Sequence, residues 1–183
     1  MTFETPFGPV RAERHGPNDA PTALVLPGVD YTPARPLLHF TRKLLVRRGF
    51  AVLELWWEFS RQGDPHQWVA AHVDAVPGPL ALVVGKSLGT FAAARMADVP
   101  AVWLTPLLQF DPVASALADA RAPMLLVCGG ADEATRAEVL ERLSAEKLVI
   151  PGADHSLELD DPLASLDALR QVVERIDEFV GRL

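Results

Sequence analysis

The chain has 183 residues, 49% of them hydrophobic, and a formal net charge of −7. That length suits one domain, residues 1–183, which can bury roughly 70% of its unfolded surface without help from disulfides or a metal. An acidic chain with no basic run is a poor partner for nucleic acid or an anionic membrane, and one cysteine, Cys128, excludes both an internal disulfide and a multi-cysteine zinc site. No apolar stretch approaches the ~18 residues a membrane helix needs, and Met1–Arg14 has no basic-then-apolar leader pattern, so a cytoplasmic location is expected.

Residues 1–21 carry Pro6, Pro9, Pro17 and Pro21, too many breaks for a helix, and leave room for one edge strand near Val10–Arg14. Short apolar runs then alternate with helical patterns. Thr22–Pro27 reads as a buried strand and Pro33–Arg48 as a helix with Leu37, Leu38, Leu44 and Leu45 on one face, closed by Gly49. Phe50–Trp57 is the next strand and Pro65–Val76 the next helix, with Trp68, Val69, His72 and Val73 on its apolar side. Leu80–Val84 is a strand and Ser87–Ala97 an alanine-rich helix. Ala101–Leu104 and Met124–Cys128 are strands separated by a short helix, Val113–Ala120. Glu133–Leu143 reads as helical and Lys147–Ile150 as the sixth strand. The last helix starts at Pro162 behind the cap Asp161, with Leu163, Leu166, Leu169, Val173, Ile176 and Phe179 facing inward. Apolar strands alternating with helices predict an α/β three-layer sandwich: a mostly parallel six-stranded sheet with helices on both faces.

The most informative string is Gly85-Lys86-Ser87-Leu88-Gly89, directly after a strand and before a helix. It fits G-x-S-x-G, a sharp strand-to-helix turn that strains the serine and pushes its hydroxyl out of the sheet. The two glycines are expected where side chains would collide. As a plain alternative, Ser87 would be an ordinary helix cap. A phosphate-binding loop is disfavoured, because the glycine it needs at position 80 is Leu80 and its loop would be the strand Ala81–Val84. A serine nucleophile needs a base and an orienting acid. The fifth strand ends at Gly129-Gly130-Ala131-Asp132, and the sixth at Gly152-Ala153-Asp154-His155. All three groups thus leave the carboxyl ends of parallel strands, where such sheets place their sites.

In the order Ser87, Asp132, His155 the chain resembles the α/β-hydrolase superfamily, and within it the small lidless serine hydrolases of the dienelactone-hydrolase and minimal-esterase type. The resemblance runs from Thr22 to near the C-terminus. It implies that Ser87 is the nucleophile, His155 the general base and acid, and Asp132 the group that holds the imidazole tautomer. It implies an oxyanion hole from the amides of Leu88 and Val29, with Pro27 standing where the family commonly has histidine. It also implies hydrolysis of a carboxylic ester or related acyl bond on a small-molecule substrate, with no cofactor and no metal. Peptide, lactone and thioester bonds stay open, as does a binding role with little turnover.

Among alternatives for the acid, Glu133 is adjacent to Asp132 and Asp111 follows the fourth strand. Asp154 is expected to cap its own turn, and Cys128 to be a core residue. His72 reads as a half-buried packing residue, and His15, His39 and His66 as surface. Tyr31, Trp56, Trp57 and Thr105 are candidate pocket walls, one tryptophan facing the site edge and the other packing under a helix. Lys86 is a further pocket candidate that could attract an anionic substrate, but a lysine beside a nucleophile is expected to point to solvent or pair with a carboxylate. The stretch Leu108–Ala122 is too short for a lid, which suits small or exposed esters.

Overall fold

A computed structural model describes residues 1–183. Its eight strands are β1 (Thr2–Phe3), β2 (Val10–His15), β3 (Thr22–Leu26), β4 (Ala51–Trp56), β5 (Leu82–Lys86), β6 (Ala101–Leu104), β7 (Met124–Gly129) and β8 (Glu146–Ile150). They form one sheet in the order β1-β2-β4-β3-β5-β6-β7-β8. The pairings of β1 with β2 and of β2 with β4 are antiparallel; all others are parallel. The sheet therefore has two strands more than the expected six. One is the edge strand foreseen near Val10–Arg14; the other, Thr2–Phe3, is too short to show a period and exists only because it pairs with Val10 and Arg11.

The five α-helices are α1 (Pro36–Arg47), α2 (Pro65–Asp74), α3 (Asp111–Ala118), α4 (Ala137–Arg142) and α5 (Pro162–Val180). Successive strand residues face opposite layers. Leu24 and Leu26 join the core under α2, α3 and α4, whereas Ala23 and Val25 join the core under α1 and α5. Proline in the first turn and an aspartate cap start both α2 (Asp64) and α5 (Asp161).

Three local departures from the expected elements are seen. Ser87–Arg95 winds as a 3-10 helix of nine residues rather than an α-helix. The Glu133–Leu143 stretch is split, because Arg136 adopts φ 43° and separates a 3-10 turn (Glu133–Thr135) from α4. In α5 the buried face is Ala168, Val172, Ile176, Phe179 and Val180, while Leu163 and Leu166 are 71% and 62% exposed.

Candidate active site

The chain leaves β3 toward β4 on one side of the sheet and returns to β5 on the other, so the strand order reverses between β3 and β5. A crevice opens at the carboxyl ends of strands at such a point. The loops there hold Gly28–Tyr31 after β3, Ser87 after β5, Thr105 after β6, Asp132 after β7 and His155 after β8.

Ser87 has φ 50°, a left-handed conformation that costs a non-glycine residue on the order of 1–3 kcal/mol. The surrounding packing enforces it. A Cβ on Gly85 would stand 2.5 Å from the Trp103 ring and 2.8 Å from the Gly89 carbonyl, and one on Gly89 would stand 2.5 Å from the Leu26 carbonyl. Gly28 lies so close that an added Cβ would be 3.2 Å from the Ser87 Cβ. The β3–α1 loop thus passes directly beside the serine.

The structure brings Ser87, His155 and Asp132 into one line. His155 Nε2 is 2.8 Å from Ser87 Oγ, and His155 Nδ1 is 2.8 Å from Asp132 Oδ2. A carboxylate can only accept, so Nδ1 carries the proton and Nε2 is left to accept from the serine hydroxyl. The Asp132 side chain is 4% exposed and the His155 side chain 40%. Burial alone would raise the Asp132 pKa. Hydrogen bonds from His155 and the Ala134 N–H, with the His155 and Lys86 charges, outweigh it and hold the carboxyl below its usual value. Asp111, by contrast, is exposed at the start of α3. Asp154 caps its turn by accepting from the Ser156 and Glu158 amides. Cys128 is buried, and burial pushes its thiol up to about 12.

The wall residues divide. Tyr31 and Trp57 line a cleft of about 370 Å³ with Gly28, Val29 and Phe59 beside the serine. Trp57 is buried, donates from Nε1 to the Pro27 carbonyl and packs edge-on against Trp68 of α2. Trp56 lies farther out, under the Arg11 guanidinium, in a neighbouring cleft of about 420 Å³ that Trp57 also borders. Thr105 is fully buried and is not a wall. Lys86 is only 2% exposed and reaches neither solvent nor a carboxylate. Its Nζ donates to Thr105 Oγ1 at 3.1 Å and to the His155 carbonyl at 3.0 Å. Val29 has no hydrogen-bond partner for its N–H within the chain.

Four histidines sit deeper than expected; His39 and His66, read as surface, are half-buried. His72 is buried and its Nδ1 is 2.7 Å from the Trp68 carbonyl; burial lowers its pKa. His15 is half-buried, 3.1 Å from the fully buried carboxylate of Glu54, which also accepts from Arg42 at 3.2 Å. The sequence reading missed this polar cluster; the signal for it was an acidic residue inside the apolar run of β4.

No family model matches the sequence, and no curated protein matches it. Solved structures do match its shape. Est1E from Butyrivibrio proteoclasticus superposes with a TM-score of 0.76 at 17% identity, covering 100% of this chain and 97% of its own. An α/β serine hydrolase without lid from Xanthomonas campestris gives 0.67 at 16% identity, covering 100% and 93%. Dienelactone hydrolase from Anabaena variabilis gives 0.66 at 21% identity, covering 95% and 94%. With α3 the only helix between β6 and β7, the chain has the α/β-hydrolase fold in its small, lidless form.

Proposed function

We propose that the protein is a cytoplasmic serine hydrolase that cleaves a carboxylic ester, or a related acyl bond, of a small-molecule substrate through an acyl-enzyme. The observation that carries this reading is the unbroken line Ser87 Oγ, His155, Asp132, with both hydrogen bonds at 2.8 Å. Its likeness in fold to esterases and serine hydrolases supports the same reading. No helix is long and apolar enough to cross a membrane.

In this mechanism Ser87 Oγ attacks the acyl carbon while its proton passes to His155 Nε2. Asp132 stabilises the imidazolium that forms. The carbonyl oxygen becomes an oxyanion and accepts from the amides of Leu88 and Val29; the latter is free to donate. The intermediate collapses, the bond to the leaving group breaks, and His155 returns its proton to that group. Water then attacks the acyl-serine with His155 again as base, which releases the acid and restores Ser87. The route asks for no cofactor.

A panel of short acyl esters and thioesters tests this, with Ser87→Ala as control. Turnover of at least one substrate, lost by several orders of magnitude in Ser87→Ala with the fold intact, is expected. Equal rates in both proteins would refute the mechanism. Absence of turnover across the panel would favour a binding role for the fold.

A further inference from the structure

Lys86 takes no part in the steps above, yet it is an ammonium sealed beneath them at 2% exposure. Burying a cation is costly unless its donors are satisfied. Two donors go to Thr105 Oγ1 and the His155 carbonyl, and Nζ lies 4.6 Å from the centre of the Tyr31 ring, a cation–π distance. These partners come from three loops, after β6, β8 and β3. Thr105 is itself strained, a β-branched residue at φ 45° that is pinned by its amide to the Val127 carbonyl. A methylene stem with an apolar end would fill the same space, so packing does not explain the charge.

We propose that Lys86 is a positioning residue, whose buried ammonium ties the backbone of His155 to the ends of β5 and β6 and so keeps the imidazole aimed at Ser87 Oγ. This rests on the hydrolase reading. His155 is 40% exposed on its side chain and sits in a loop without a lid above it. Asp132 holds the ring at Nδ1, and the backbone of the same residue is the second anchor, its carbonyl held by Lys86. The charged and titratable groups around the ammonium are Asp132 after β7, Asp154 and His155 after β8, and Tyr31 after β3, itself facing Arg35 and Glu158. Burial, partly offset by Asp132 and Asp154, lowers the Lys86 pKa to about 8. The tether is thus an ammonium below that pH and weakens as the proton is lost above it.

The test compares wild type with Lys86→Met and Lys86→Gln across a pH series. One readout is the rate of covalent labelling of Ser87 by a fluorophosphonate; the other is kcat and KM for a short acyl ester. The expected result is a fall in kcat and in labelling rate of roughly 100-fold, the scale set by a small misplacement of a reacting group, with KM changed less than about threefold. Wild type is expected to lose rate as pH rises through about 8, and both variants to lack that limb. A lysine with only a structural role would not move the pH profile. Variants within about twofold of wild type, or variants that keep the alkaline limb, would overturn the proposal. If Lys86→Met fails to fold, Lys86→Gln and the wild-type limb decide it by the same criteria. Wild type that takes no label at Ser87 would instead refute the hydrolase reading, and this proposal with it.

Discussion

An amide in place of the Asp132 carboxylate would keep the shape of the hydrogen bond to His155 but could donate to Nδ1, favouring the tautomer that cannot accept from Ser87. Asp132→Asn is therefore expected to cut kcat by on the order of 10⁴, while Asp111→Asn, altered on an exposed helix start, leaves it near wild type. Steady-state kinetics on the two variants decide between these acids, and an essential Asp111 would move the assignment. Lys86 makes a second prediction, about stability. Its pKa falls from 10.5 to about 8 on folding, so the native state holds the proton less tightly than the unfolded chain. The cost of burying the charge is fully present below about 8 and disappears as pH rises toward the unfolded value, a change of about 3 kcal/mol at most. Wild type should therefore gain stability relative to Lys86→Met between those pH values. Urea titrations showing a constant difference would contradict it.

At the scale of elements, the apolar strands and the residues leaving their ends were legible because both follow rules local in sequence. A run such as Thr22–Leu26 can only be buried, and a glycine on each side of Ser87 marks a turn with no room for side chains. What stayed hidden depends on distant partners. Nothing beside Lys86 in the sequence shows that the β3–α1 loop folds Tyr31 over its ammonium. Leu163 and Leu166 fit an inward helical face by period, yet both are exposed, because burial of that face depends on what packs against it and not on the period alone. Glu54 belongs to the same class: its pairing with His15 and Arg42 depends on the β2–β4 register and on α1. Burial raises its pKa although Arg42 and His15 pull the other way. Arg42→Leu leaves this buried carboxylate with His15 as its one side-chain partner, and a loss of about 3 kcal/mol is expected by urea denaturation, with Glu54→Leu in the same chain restoring much of it. A double variant as unstable as the single one would show that the ion pair is not the issue.

Across the whole molecule, only eight residues of helix, α3, lie between β6 and β7, and no lid domain is inserted there. The clefts beside the serine are open, so a long acyl chain would bury few of its methylenes, each worth ~0.8 kcal/mol when fully covered. Acetyl and propionyl esters are expected to be turned over at least as efficiently as octanoyl ones; kcat/KM rising steadily with chain length would show that a groove, with Tyr31 and Trp57 as its walls, does bury the chain. All of this rests on a covalent bond to one oxygen atom. Rapid quenching after mixing with an activated acetyl ester, followed by mass spectrometry of the digested protein, looks for that bond directly. The account predicts one acetyl group on the peptide that carries Ser87, absent from Ser87→Ala; ester turnover with no acyl group on Ser87, or acylation at another residue, would contradict it.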